Sequence, residues 1–366
     1  MKKYCLFILL LCLCLFNYGC KKYDEDGYQI EKNLDYVSDQ SEDAEVKNII
    51  LIIGDGMGAN QVEFTKKYGP RKELDLEKAE YKGLIDTNCL NNYVTDSAAA
   101  ATAMATGTRT LYKRVGMDED GNELKTILDY AHEAGLMTGL LTNDNLYGAT
   151  PSGFSAHATD RYLYTDDMIE DQITSTIDVL MGYGEAEYYK YKDKIAANGW
   201  DYTNNRETMN DSKSSKLLSV FSNNAKVKDD IPTLPEMTEK ALDILSEDED
   251  GFVLVVEEAQ VDKTIDNGNI DGMVESVINL DKVLRLSLNF MRKNDDTLVI
   301  VLADHETGGL VLGEGEPSLD WFTEPERYHT NVKVPVYAYG NRSSVFDNCD
   351  ILNTDIFYIM KRLLEI

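Results

Sequence analysis

Four apolar runs constrain the fold of this chain more than any other feature: Asn48–Ile53, Met137–Thr142, Gly251–Val256 and Asp296–Leu302. Each is short and continuous, without the alternation of a strand that shows one face to water, so each reads as a strand buried on both faces. Helix-period segments precede the later runs, at Leu124–Gly135, Leu234–Leu245 and Met273–Met291, and a further strand is expected at Val334–Tyr339. Alternation of this kind predicts an α/β fold, a doubly wound and mostly parallel central sheet with helices on both faces. With 366 residues, 43% of them hydrophobic, the chain is long enough to bury such a core.

Sheets of this type bind ligands where the strands end at their carboxyl side, so those ends carry the information about function. The first run ends in Gly54-Asp-Gly-Met-Gly58, which exposes Asp55 in a turn. The third ends in Glu257 and Glu258, followed by Asp262 and Asp266. The fourth ends in Ala303-Asp-His-Glu-Thr-Gly-Gly309, where the adjacent Asp304 and His305 form a good metal pair. Beyond the second lies Ala149-Thr-Pro with Thr150, and His329 stands shortly before the last strand. Taken singly, Asp55 reads equally as an exposed turn residue, and residues 257–266 as a solvated acidic loop. Asp262 and Asp266 are four apart and share a helix face, where like charges repel unless a cation lies between them. Taken together, acidic groups gathered at one rim call for cations. The mixed oxygen and nitrogen donors suit zinc with a harder ion such as magnesium beside it.

The stretch Val94-Thr-Asp-Ser-Ala-Ala-Ala-Ala-Thr-Ala-Met-Ala-Thr-Gly107 puts Ser97 at the start of a small-residue helix. Free backbone N–H groups and the positive end of the helix dipole there favour a phosphate and an alkoxide, so Ser97 reads as a nucleophile. The plainer reading is an N-cap on a buried helix. Residues 162–235, rich in Tyr, Asp, Asn and Lys, read as a variable insertion over the sheet edge.

The formal net charge of −29 makes nucleic acid and anionic membrane surfaces poor partners, and any phosphate must be met by local cations. Met1-Lys-Lys followed by the apolar run Leu6–Phe16 has the form of a secretory signal, and Gly19-Cys20 resembles a lipoprotein cleavage point. The expected organisation is therefore a signal over 1–20, an acidic tether over 21–45 and a catalytic domain over 46–366. The product would be exported, periplasmic or at the cell surface, held to a membrane only by lipid on Cys20. Cleavage removes Lys2 and Lys3, taking the charge from −29 to −31. The remaining Cys20, Cys89 and Cys349 are too few for a disulfide framework.

Read jointly, Ile53-Gly-Asp-Gly-Met-Gly58, Val94-Thr-Asp-Ser-Ala-Ala-Ala-Ala-Thr-Ala, Ala149-Thr-Pro with Arg161 downstream, Val256-Glu-Glu-Ala-Gln-Val-Asp262, Ala303-Asp-His-Glu-Thr-Gly-Gly309 and His329-Thr330 resemble the alkaline phosphatase family. The resemblance implies hydrolysis of small-molecule phosphate monoesters through a phosphoserine on Ser97, with Arg161 clamping two phosphoryl oxygens. It implies two zinc ions, one held by Asp55, Asp304 and His305 beside Ser97 and the other by Asp262 and His329. It also implies one magnesium ion held by Asp55, Thr150 and Glu257, and a homodimer. Two cations flanking the phosphorus stabilise the attacking and departing oxygens of an in-line displacement. The sequence departs from the family pattern at two positions. Gly148 stands where an Asp or His precedes Ala-Thr-Pro, and Asp266 stands where a His follows Asp262 by four, so Asp266 is expected as a carboxylate ligand. Competing readings are a phosphodiesterase or nucleotide pyrophosphatase of the same superfamily and a non-catalytic metal- or phosphate-binding lipoprotein.

Overall fold

A computed structural model describes residues 22–23, 29–30, 38–90, 93–223, 230–324 and 328–366. The signal sequence and most of the tether fall outside the described residues. Near the N-terminus, Lys22–Tyr23 and Gln29–Ile30 pair antiparallel. Val37–Ile366 forms a unit of its own.

Its centre is a ten-stranded sheet. In chain order the strands are β1 (Asn48–Gly54), β2 (Tyr81–Asp86), β3 (Met137–Asn145), β4 (Val179–Tyr183) and β5 (Asp201–Thr203). They continue with β6 (Leu217–Phe221), β7 (Phe252–Glu258), β8 (Thr297–Ala303), β9 (Val334–Gly340) and β10 (Asp350–Leu352). The spatial order is β10-β2-β9-β8-β1-β7-β3-β4-β6-β5. Only β9 runs against its neighbours. All four apolar runs are strands, and β1, β7 and β8 are buried along their whole length. They sit side by side with β3 at the centre, as uninterrupted apolar sequence requires. Both edge strands, β5 and β10, have three residues, which leaves little unpaired backbone for another chain to join.

The helices are α1 (Ala59–Tyr68), α2 (Ser97–Thr106), α3 (Ile127–Glu133), α4 (Ala149–Gly153), α5 (Thr165–Thr174), α6 (Glu185–Tyr188), α7 (Lys192–Ala197) and α8 (Arg206–Asp211). After them come α9 (Leu234–Leu245), α10 (Gln260–Asp266), α11 (Ile270–Met291) and α12 (Asn353–Leu363). One packed layer is built from α1, α9 and α11, and a second from α2, α3, α4 and α12. Among the described residues no helix is long and apolar enough to cross a membrane.

One expectation is corrected. Residues 162–235 do not lie over the sheet edge as an insertion; they supply β4, β5 and β6 and so form that edge. Polar composition pointed the wrong way because α5–α8, which connect these short strands, are mostly solvated and outnumber the apolar positions.

The small side chains of α2 serve close packing. Every residue of this helix is buried, and a Cβ on Gly153 of α4 would stand 2.6 Å from the Ala101 side chain. We expect Gly153→Ala to force α4 away from α2 and cost about 1–3 kcal/mol, the usual scale of overpacking. A denaturation midpoint unchanged from wild type would show that this contact is slack.

Candidate active site

Strand register builds the site. Ala303 of β8 pairs with Gly54 of β1, Gly54 with Glu258 of β7, and Glu257 with Thr142 of β3. Adjacent strands lie about 4.8 Å apart, so Asp55, Asp304, Glu257 and Thr142 emerge together at one rim. The turn after β1 is locked across this rim. Gly56 N–H donates to Asp304 Oδ1 at 3.0 Å, and Asp262 N–H donates to the Asp55 carbonyl at 2.9 Å. Gly56 has φ of +75°, and a Cβ there would come within 2.6 Å of Thr307 Oγ1 and 2.9 Å of Asp262 Cβ, so glycine is required.

His329 arrives by a short hairpin-like pairing. Glu306–Thr307 and His329–Thr330 form an antiparallel ladder with Thr307 opposite His329. The rings of His305 and His329 stack with centroids 3.5 Å apart. The His329 Nδ1–H donates to the Thr95 carbonyl at 2.9 Å, which can only accept. Its Nε2 therefore faces Asp262 Oδ1, 3.4 Å away, with a lone pair. A lone pair opposite a carboxylate needs a cation between them, either a proton or a metal ion, and fixing one ring nitrogen on a carbonyl is how metal-binding imidazoles are oriented.

Around His305 Nε2 stand Ser97 Oγ at 3.2 Å, Asp55 Oδ1 at 3.3 Å and Asp304 Oδ2 at 3.3 Å. Burial, with the charge of His329, holds His305 well below the usual imidazole range, so it has at most one proton for these three oxygens. Asp304 Oδ2 is buried with no hydrogen-bond partner. The donor atoms of Asp55, Asp304 and His305 lie within 4.8 Å of one another, and so do those of Asp262, His305 and His329. This surplus of inward acceptors fits divalent cations better than protons.

The charges respond to burial. Desolvation lifts Asp55 well above the carboxylate range, reinforced by Asp304, and lifts Asp304 to about 6. Burial also lifts Glu257 to about 7 against the Thr142 hydroxyl on its carboxylate. Thr150 faces the same carboxylate without completing a hydrogen bond. Burial would raise Asp262 too, yet His329, His305 and the Thr307 hydroxyl hold it far below the usual range. For His329 the desolvation is outweighed by Asp262, which takes the imidazole to about 9. Glu258, one residue along β7 and so on the opposite face, is satisfied by Asn143, Asn279 and the Gln260 N–H, and is structural.

Ser97 is the first residue of α2, with Oγ 3.4 Å from Asp55 Oδ1. Its neighbour Asp96 caps the helix through Oδ1, which accepts from Ala99 N–H at 3.2 Å and Lys113 N–H at 2.9 Å. Asp96 Oδ2 lies 3.5 Å from Arg161 Nε, and this ties Arg161 to the helix start. His157 lies elsewhere, bonded to Asp171 and the Leu124 carbonyl, and is structural. Cys89 and Cys349 carry free thiols.

Two positions differ from expectation. Asp266 joins neither donor group: it is exposed as the last residue of α10. Spacing is not the cause, since residues four apart on a helix can share one metal ion; Asp266 ends the helix with its side chain exposed, whereas Asp262 is turned inward. At Gly148 a Cβ would meet the Asn145 carbonyl at 2.7 Å, and Asp144 Oδ2 lies 3.5 Å from that point. Asp144 pairs with Lys263, its N–H donates to Thr142 Oγ1 at 3.0 Å, and its charge reaches Glu257. A carboxylate therefore stands beside position 148, near enough for its charge to act on Glu257, from a position sequence reading missed.

These features give two expected outcomes. In the metal-stripped chain Asp304 and Glu257 keep protons at pH values where their unfolded counterparts, near 3.8 and 4.5, have lost them. Stability from this source is present at low pH and lost as pH rises through about 6 to 7; that from His329 is lost as pH rises from 6.5 through about 9. Asp262 acts in the opposite sense in acid below this window, and His305, kept neutral in the folded chain, offsets part of the loss up to about pH 6.5. The melting temperature of chelated protein should therefore fall from pH 5 to pH 9 and recover on addition of zinc; a flat or rising curve would refute this. Calorimetric titration supplies the second: Asp144→Ala should weaken Mg²⁺ binding about tenfold or more, the scale for an outer-shell partner. Asp266→Ala should leave zinc content unchanged, and loss of zinc from that variant would return Asp266 to the site.

A family model described as alkaline phosphatase matches residues 46–328. Alkaline phosphatase 3 of Bacillus subtilis (strain 168) is 33% identical over 306 residues, 77% of this chain, and the chain spans 65% of that relative's length. The alkaline phosphatase of Escherichia coli (strain K12) is 28% identical, with 89% of this chain and 88% of its own covered. Among solved structures, the alkaline phosphatase from the Antarctic bacterium TAB5 superposes with a TM-score of 0.78 at 26% identity, covering 88% of this chain and 99% of its own. With Ser97 at the head of α2, Arg161 tied to it through Asp96, and the acidic and imidazole donors converging at the strand ends, these matches identify the chain as a member of the alkaline phosphatase family.

Proposed function

We propose that this chain hydrolyses phosphate monoesters through a phosphoserine on Ser97, at a centre of two zinc ions with one magnesium ion beside them. The observation that carries the reading is the position of Ser97 Oγ, within 3.4 Å of Asp55 Oδ1 and 3.2 Å of His305 Nε2, at the edge of one donor group. Asp55, Asp304 and His305 would hold the zinc ion beside Ser97, Asp262 and His329 the other, and Asp55, Thr150 and Glu257 the magnesium ion, with Asp144 supporting it. When bound, these ions supply Lewis-acid stabilisation to the attacking and departing oxygens.

The chain's own groups do the rest. The start of α2 directs backbone N–H groups and the helix dipole at the phosphoryl group. Asp96 fixes Ser97 and Arg161 relative to each other by accepting from the helix with one oxygen and facing Arg161 Nε with the other. The Arg161 guanidinium then offers paired N–H donors to two non-bridging oxygens, where charge develops in the transition state. A monoester has three non-bridging oxygens, enough for the two that Arg161 would clamp and a third turned toward the metal-donor groups, whereas a diester has only two, and this favours the monoesterase over the phosphodiesterase reading. In a chain of net charge −29, Arg161 supplies the local positive charge that an anionic substrate needs. Export with a lipid on Cys20 is part of the proposal, supported by the leader sequence alone.

Ser97→Ala should keep the metal content of the wild type and lose p-nitrophenyl phosphatase activity by about a thousandfold or more, the scale for a covalent nucleophile. Wild-type protein should favour that monoester over its bis ester and lose activity to a chelator. Turnover in Ser97→Ala above about a hundredth of wild type would contradict the phosphoserine route.

A further inference from the structure

Beside the phosphate clamp lies a group of exposed aromatic and cationic side chains with no part in the chemistry above. Tyr112 is 53% exposed and Tyr162 63% exposed. Lys113 Nζ lies 5.8 Å from the centre of the first ring and 5.3 Å from that of the second, so the two rings flank it. Tyr162 also adjoins Arg161 directly: the guanidinium lies 4.7 Å from its ring centre, and Arg161 Nη2–H donates to its hydroxyl at 2.7 Å. Burial and the charge of Asp96 raise the phenol of Tyr112, while the residue as a whole remains open to solvent.

The backbone beneath these side chains is fixed. Val115 and Ala158 exchange hydrogen bonds at 2.9 Å in an isolated antiparallel bridge, and Arg161 N–H donates to the Lys113 carbonyl at 3.0 Å. Lys113 N–H is held by Asp96 Oδ1 at 2.9 Å, and the residue adopts φ of +69°. A lysine in the left-handed region is strained, and such strain persists where the surroundings enforce it, commonly at ligand sites. Rings presented on a preformed backbone lose little freedom when a ligand covers them.

We propose that Tyr112, Lys113 and Tyr162 form a ledge that receives the leaving group of the substrate and selects monoesters whose alcohol carries a flat ring. The inference rests on the monoesterase reading. In-line displacement places the departing oxygen on the far side of phosphorus from Ser97, hence toward solvent. A phosphoryl group clamped by Arg161 therefore projects its substituent past the side chain that follows Arg161 in sequence. A planar ring can lie against the tyrosines and meet the Lys113 ammonium, which attracts an aromatic face. An aryl ester and a nucleoside 5′-phosphate share this chemistry and differ in the distance from ring to phosphorus.

The test compares phenyl phosphate, adenosine 5′-monophosphate and glycerol phosphate as substrates, and phenylphosphonate against methylphosphonate as inhibitors, in wild type, Tyr112→Leu, Tyr162→Leu and Lys113→Gly. Ratios within one protein cancel the intrinsic reactivity of each ester and any change in the amount of folded enzyme. The phenyl-to-methyl affinity ratio should fall about two- to tenfold in either tyrosine variant, the scale of one ring contact. Lys113→Gly, which also relieves the positive φ, should lower it in the same direction. A parallel fall in the adenosine-to-glycerol ratio assigns the ledge to nucleotides, and a fall for phenyl alone assigns it to aryl esters. Unchanged ratios in all three variants, with wild type active on every ester, would overturn the ledge while leaving the monoesterase reading intact. Wild type inactive on every ester would overturn that reading itself.

Discussion

The structure depends on one electrostatic constraint: several carboxylates and two imidazoles are buried together at the carboxyl ends of register-aligned strands. Asp55, Glu257 and Asp304 are nearly inaccessible to water, and among the described residues no arginine or lysine forms an ion pair with any of the three. In the metal-free chain their desolvation is met by proton uptake; with divalent cations bound, it is met by coordination. Much of the surrounding detail follows from holding these groups in place. Gly56 lets the turn after β1 pass under Thr307, and the Thr95 carbonyl fixes the His329 ring. The pairing of Glu306–Thr307 with His329–Thr330 brings the His329 imidazole onto His305, just beyond the end of β8.

A second level of organisation runs through Asp96. Its carboxylate joins the N-terminus of α2, the backbone of Lys113 and the side chain of Arg161. The proposed nucleophile, anion clamp and aromatic ledge are thereby mounted on one anchor, and the dense packing of α2 against α4 supports it. Positioning of reacting groups to within fractions of an ångström is a large share of what a phosphoryl-transfer enzyme contributes, because there is little covalent chemistry for the protein to perform.

Much of this was legible in the sequence because burial writes a strong signal. The uninterrupted runs of β1, β3, β7 and β8 announced strands covered on both faces, and such strands direct attention to Asp55, Glu257, Asp304 and His305 at their ends. Other features were not legible, for physical reasons. Spacing of four between Asp262 and Asp266 reports a common helix face, but not that α10 ends at Asp266 and leaves its side chain exposed. Gly148 read as a missing carboxylate, whereas the Asp144 carboxylate lies beside that position from a different stretch of backbone, a relation that only the fold supplies. The strands β4 and β6 are themselves apolar and buried, but at five residues each, with only three in β5, they are outweighed in composition by the polar residues around them in 162–235. Tyr112 and Tyr162 gave no signal, because exposed aromatic residues acquire meaning only from what they stand beside.

The central claim is that two divalent ions occupy the donor groups on either side of His305, with Ser97 at one of them. Anomalous diffraction at the zinc edge, from crystals of protein reloaded with zinc, tests it most directly. Two peaks are expected about 4 Å apart, one bounded by Asp55, Asp304 and His305 with Ser97 Oγ facing it, the other by Asp262 and His329. A single peak, peaks elsewhere in the molecule, or a Ser97 side chain directed away from both ions would contradict the account.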